Sequence, residues 1–297
     1  LKDRKKFKSI IKKDNKMSTI AITATLVNEL RNLTGAGLMD CKKALTESNG
    51  DVQGAIDVLR KKGAKVAEKR AGRDSLEGCI VALTSPDGKK GIVSYLSCET
   101  DFVAKNEDFR GLAEAIAKAA LAAGSKTTEE VLALPLDGVT VQDKVQEKVS
   151  AIGELIAISA YETLEGENIV AYNHAGNKIG VLVSLSNPKS DINQAAGKDI
   201  AMQVAAMNPL AVDAKGVSQE VIDREVAIAK EKASASGKPE NILQKIAESA
   251  AQSYLKENTL TTQPFVKDGS KTVVQYLGEV EKGLSVLAFK RVALGLK

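Results

Sequence analysis

The chain has 297 residues, a formal charge of +4, 43% hydrophobic residues and only 3% aromatics. That length can bury one large core or two to three smaller ones, and a 27% charged fraction suits a globular protein, not a disordered one. No run approaches the ~20 apolar residues of a membrane span. Cys41, Cys79 and Cys98 form no C-x-x-C pair for a zinc cage or thioredoxin motif, and the single histidine, His174, excludes a two-histidine metal site. So sparse a cysteine set points to a reducing cytosol.

The charge is unevenly spread. Residues 1–16 carry +6, residues 17–60 carry −1, residues 61–73 carry +5 and residues 74–297 carry −6. The overall basicity therefore belongs to a leader and a short run, while the body is acidic. A nucleic-acid-binding body would show a basic face, so nucleic acid is an unlikely partner on this reading. The leader lacks the apolar segment of a secretory signal. Met17-Ser18 reads as a translation start, with residues 1–16 as a basic extension of no fold.

Residues 17–63 read as a small helical module. Leu26, Leu30 and Leu33 recur on one helical face, and Thr34-Gly35-Ala36-Gly37 breaks it. Leu38, Cys41 and Leu45 make a second short helix. Asp51 caps a third with Val52, Ala55, Ile56 and Leu59 inside, and Gly63 is the expected stop. Residues 64–75 then read as a basic linker, the common fate of a charge run.

The body holds a repeat. Ile80-Val81-Ala82 matches Ile169-Val170-Ala171 at an offset of 89 residues. At the same offset Lys89 meets Lys178, Gly91 meets Gly180, Leu96 meets Leu185 and Ser97 meets Ser186. Pro86-Asp87-Gly88 and Gly176-Asn177 are hairpin signals. Each hairpin leads into an alanine-rich helix, expected at 108–123 and 195–207. The pattern predicts an α+β fold with a duplicated core of antiparallel sheets covered by helices. Half 1 spans 76–153 and half 2 spans 154–297, the latter with added strands at 156–162 and 284–294. An antiparallel helical hairpin is inserted at about 217–258, turned by Gly237-Lys238-Pro239.

The copies differ after the shared Leu-Ser. The first reads Cys98-Glu99-Thr100-Asp101-Phe102-Val103, and at the constant offset Phe102 meets Asp191. A loop phenylalanine is either a plug folded into its own core or an exposed wedge that gains on burial in a partner. Cys79 and Cys98 are equally far from a turn centred on Gly88-Lys89, which suits neighbouring core thiols better than a redox pair.

Thr34-Gly35-Ala36-Gly37-Leu38-Met39-Asp40-Cys41-Lys42-Lys43-Ala44-Leu45 resembles the N-terminal signature of elongation factor Ts, and Thr100-Asp101-Phe102-Val103-Ala104-Lys105 is similar to that family's second signature. The resemblance runs from about Met17 to the last strand. It implies a cytoplasmic guanine-nucleotide exchange factor for elongation factor Tu, not an enzyme, with no cofactor or metal of its own and no direct nucleotide binding. It further implies that a UBA-like three-helix module docks on the partner through Arg31, Leu38 and Met39. Thr100, Asp101, Phe102 and Val103 would dislodge the partner's Mg²⁺, and the second half would touch the partner around His174. Leu38 stands where the family commonly has methionine, a volume-neutral change. The competing readings are a protein-binding adaptor built on the UBA-like module and an RNA-binding accessory protein of translation.

Overall fold

The computed structural model describes residues 21–234 and 240–295. The basic leader and the Gly237-Lys238-Pro239 turn lie outside these residues. The chain divides into two units, one running to Gly72 and taking in Asp143–Glu154, the other made of Arg73–Gln142 and Leu155–Lys297.

In the first unit, helix α1 (Ala24–Thr34) starts where Thr23 accepts a hydrogen bond from the Leu26 amide, and it ends at Gly35 in the left-handed region. Helices α2 (Leu38–Glu47) and α3 (Val52–Arg70) follow. Val27, Leu30, Cys41, Ala44, Leu45, Ala55 and Leu59 form a small closed core. Leu33 is not part of it; the side chain is 64% exposed, and Val27 takes its place on the inner face.

Gly63 does not stop the third helix. Helix α3 runs on to Arg70, so most of the expected linker is helical. The lysines, alanines and Glu68 of this stretch are good helix formers, and one glycine costs only about 1 kcal/mol. Gly63 is buried because another backbone passes over it. A Cβ there would lie 2.1 Å from the carbonyl oxygen of Gln146, on the helix Val141–Ile152. Arg60 ties the same pair of helices, with Nη2 2.7 Å from Oε1 of Glu147. Residues 143–153, expected in the first core half, therefore pack with the N-terminal helices.

In the second unit, β1 (Glu77–Thr84) and β2 (Lys90–Cys98) form an antiparallel hairpin. Asp87 accepts from the Ser85 hydroxyl and the Lys89 amide, and Gly88 takes the positive φ that the turn requires. This turn sets Cys79 opposite Leu96 and Glu77 opposite Cys98. The two thiols are thus diagonal neighbours, not a facing pair, and both are buried. After β2 come α4 (Asp101–Ala104), α5 (Glu107–Ala123), α6 (Thr128–Ala133), the short ribbon β3 (Pro135–Leu136) and β4 (Val139–Thr140), and α7, the Val141–Ile152 helix. Strand β5 (Ala157–Glu165) then pairs with β2 and completes a sheet of order β1-β2-β5.

Strands β6 (Asn168–Asn173) and β7 (Ile179–Leu185) form the second hairpin, which leads into α8 (Asp191–Met207). Helices α9 (Gln219–Ser234) and α10 (Glu240–Asn258) pack on each other. A ribbon of β8 (Pro264–Phe265) and β9 (Asp268–Thr272), helix α11 (Val273–Val280) and strand β10 (Val286–Ala293) close the described chain. The second sheet has the order β10-β7-β6. The strand expected at 156–162 in the second half therefore belongs to the first sheet. Each hairpin leaves the outer edge of its second strand unpaired, and one later strand satisfies it in each half.

The two sheets face each other through Ile80, Ala82, Val93, Tyr95, Ile169, Leu182 and Val292. Two of the repeated residues explain how close they come. A Cβ on Gly91 would lie 2.7 Å from Ile169 and 2.9 Å from Leu182; one on Gly180 would lie 2.7 Å from Ile80 and 2.9 Å from Val93. The contacts are reciprocal, since Ile80 and Ile169, like Val93 and Leu182, are repeat partners. Helices α5 and α8 cover their own hairpins, and their buried faces are rich in alanine.

Gly91→Ala and Gly180→Ala are each expected to destabilise the second unit by about 1–3 kcal/mol through overpacking. Gly72→Ala, which meets nothing within 4 Å, should be nearly neutral. Urea unfolding midpoints at constant slope check this.

Candidate functional site

The loop after β2 is fastened at both ends. Cys98 lies inside, with its thiol 3.2 Å from the Thr100 carbonyl oxygen. Glu99 accepts from the Leu155 amide at 2.7 Å and meets Arg73 at 3.3 Å. Thr100 caps α4 through the Val103 amide, and Asn106 caps α5 through the Phe109 amide at 3.1 Å. Arg110 donates to the Ala104 carbonyl at 2.9 Å, and the Phe109 ring is fully buried below. Two capped helices therefore follow one another with a single turn between them.

Phe102 projects from this frame and is 83% exposed. The ring is not a core plug. Val103 is half-buried beside it and Ala104 points inward. Asp101 accepts from Lys105 one turn on, at 2.6 Å. That hydrogen bond, with help from the lysine's charge, holds the Asp101 carboxyl below the ordinary carboxylate range. The carboxylate beside the ring is therefore ionised at neutral pH.

The caps also correct the comparison between the halves. Ser190 caps α8 through the Asn193 amide as Thr100 caps α4 through the Val103 amide. Asp191 then corresponds to Asp101, and Phe102 corresponds to Ile192, not Asp191. A helix start is set by its capping hydroxyl, and the second loop holds one residue more than the first. Ile192 is itself 63% exposed, so both halves hold out an apolar side chain at this place.

In the first unit, Met39 is 73% exposed and Leu38 is 49% exposed, both in the first turn of α2. Arg31 is exposed near the end of α1. Leu33 adds a third apolar side chain around the Thr34–Gly37 loop, one that helical periodicity assigned to the core. The loop is held by Gly35, which donates to the Arg31 carbonyl at 2.7 Å, and by the Thr34 hydroxyl, which donates to Leu30 and accepts from Ala36.

His174 is exposed at the tip of the second hairpin, its Nδ1 3.0 Å from the Tyr172 hydroxyl. Its neighbour Asn173 fastens the tip to the first sheet, accepting from the Ala82 amide at 2.7 Å and donating to the Ala82 carbonyl at 2.9 Å. Among the described residues no three His, Cys, Asp or Glu side chains gather as a metal site, and no helix is long and apolar enough to cross a membrane.

Exposed apolar anchors on capped, hydrogen-bonded loops are features of surfaces that bind other proteins. The family model described as "Elongation factor TS" matches residues 99–296. The chain is 51% identical over 276 residues to Elongation factor Ts of Amoebophilus asiaticus, covering 93% of this chain and all of that protein. It is 51% identical over 274 residues to that of Christiangramia forsetii, covering 92% and 99%. With that of Porphyromonas gingivalis the identity is 45% over 276 residues, covering 93% and 99%. The chain belongs to the elongation factor Ts family, translation elongation factors of protein biosynthesis.

In Lys105→Ala the Asp101 titration midpoint, followed by NMR, is expected to rise toward the ordinary carboxylate value. Any stability the pair contributes is present above that ordinary value and is lost as pH falls through the lowered one.

Proposed function

We propose that this protein is a guanine-nucleotide exchange factor that binds GDP-bound elongation factor Tu, disturbs its Mg²⁺ and phosphate site, and so promotes GDP release and GTP reloading. The observation that carries this reading is Phe102, held out in water by a fastened loop, in a chain of the elongation factor Ts family. A nucleotide held by a phosphate loop and Mg²⁺ leaves slowly because many charge-assisted bonds break together. The factor need not touch it. It needs only to bind better to a partner conformation in which those bonds are disturbed.

A rigid ring suits this task. It loses little side-chain entropy on insertion and buries a large apolar area. Asp101, ionised beside it, is poised to repel or reorder negative groups near a metal. Thr100 and Val103 set the start of the turn from which the ring extends.

The three-helix unit acts as a UBA-like docking module through Arg31, Leu38 and Met39, with Leu33 enlarging the apolar patch. His174 presents a polar contact from the second half. Helices α9 and α10 form an antiparallel hairpin inserted in that half. By linkage, nucleotide weakens the factor's hold by the ratio in which the factor weakens the nucleotide's, so GTP can expel it. A coupling of ~3 kcal/mol changes affinity roughly 150-fold, and larger accelerations require the docking module and the ring to act together. The expected place of action is the cytoplasm.

Release of a fluorescent GDP from elongation factor Tu measures this directly. The protein should accelerate release by orders of magnitude. Phe102→Ala, which leaves the core intact, should lose about 2 kcal/mol of that effect, roughly thirtyfold. Met39→Ala should weaken binding to elongation factor Tu more than it slows release at saturation. No acceleration by the wild type overturns the exchange reading; an unchanged rate with Phe102→Ala removes the ring from the mechanism.

A further inference from the structure

The lysines of the basic run at 61–73 take no part in the exchange reading. In the structure they lie on the outer half of helix α3, where Lys61, Lys65 and Lys69 recur at every fourth residue and share one face. They are spaced about 6 Å apart along the axis. This face opens into two adjoining cavities. One, of about 460 Å³, is lined by Lys43, Lys61, Lys62 and Lys65 against Asp40 and Glu47. The other, of about 330 Å³, is lined by Lys62, Lys69 and Arg70 against Asp40. Asp40 and Lys62 are common to both, and their ion pair of 2.5 Å stands where the cavities meet. The second cavity is also lined by Ser150, which is 6% exposed and whose hydroxyl has no hydrogen-bond partner among the described residues.

Six cations thus face two acids, and one of the acids is already neutralised by Lys62. Among the described residues Lys43, Lys61, Lys65 and Lys69 form no ion pair. We propose that this groove is a binding site for the phosphate backbone of a nucleic-acid strand. The acidic charge of residues 74–297 argues against nucleic acid only if the chain is read as one body; the positive field is confined to the first unit. Lysines are strongly hydrated point charges on flexible stems, suited to phosphates of varied geometry. Among the described residues no aromatic side chain lines either cavity, so the site offers no stacking platform and binding is independent of sequence. None of the exposed large apolar residues lines the groove, so it lacks the anchor that a protein partner would bury.

Fluorescence anisotropy of a labelled 20-nucleotide single strand, titrated with the full chain between 50 and 200 mM salt, tests the site. RNA and DNA of one sequence should bind alike. With four to six phosphates engaged, affinity should fall about fiftyfold to several hundredfold over that range. Lys61→Gln, Lys65→Gln and Lys69→Gln in one chain preserve helix propensity and should lower the log–log salt slope by about 2. Circular dichroism of that variant should match the wild type.

Absence of binding at 50 mM salt overturns the proposal. So does a triple variant that is folded and keeps the wild-type slope. Binding abolished by Lys2→Gln, Lys5→Gln, Lys6→Gln and Lys8→Gln, yet unchanged in the α3 variant, assigns it to the leader and overturns the groove. Poly-glutamate that displaces the strand more strongly, at equal charge, than unlabelled strand does makes an acidic protein the occupant and overturns it as well.

Discussion

Two glycines 89 residues apart in the chain let two β-sheets meet face to face. Gly91 receives Ile169 and Leu182; Gly180 receives Ile80 and Val93. Each half supplies both the hollow and the side chains that fill the other's hollow, as in a two-fold symmetric dimer interface, although here one chain provides both sides. Within the second unit the covering helices are arranged around it. The helices α5 and α8 have only the outer faces of their hairpins left to cover. The loops that join hairpin to helix are thereby set at the edge of the layers, where a side chain can face water.

At that edge the two halves follow the same local rule with different residues. A hydroxyl caps the helix, an aspartate follows, and the next side chain stands outside. In the first half that side chain is Phe102, and the surrounding bonds from Glu99, Asn106 and Arg110 keep the frame stiff. In the second half it is Ile192. Holding a large ring in water is unfavourable for an isolated protein. In the proposed exchange reading a partner covers that ring.

The first unit keeps its own economy. Its core is small, and its long third helix is extended over the helix that Gly63 admits. That extension turns a charge run, which could have been a solvated tether, into an ordered row of lysines beside two cavities. Order matters electrostatically: charges fixed on one face add their fields, while the same charges on a random coil are largely screened from one another.

Local conformation and duplication were legible in the residues. The hairpin turn at Pro86-Asp87-Gly88, the cap Asp51, the break after Thr34 and the repeated Ile-Val-Ala and glycine positions all follow from chemistry within a few residues or from direct self-comparison. The signatures around Leu38 and Phe102 also stood in the sequence, and with them the family. Other features depended on elements far away in the chain. Gly63 looked like a stop because its partner, the carbonyl of Gln146, is 83 residues distant. The strand at Ala157–Glu165 could have closed either sheet, since periodicity marks a face as apolar without naming what covers it. Leu33 fell outside the core although its spacing placed it inside, and the orientation of Phe102 was undecided until the capped loop around it was in place. Short-range hydrogen bonding and residue type belong to the sequence; the choice of which apolar surface meets which is made only when the whole chain competes for burial.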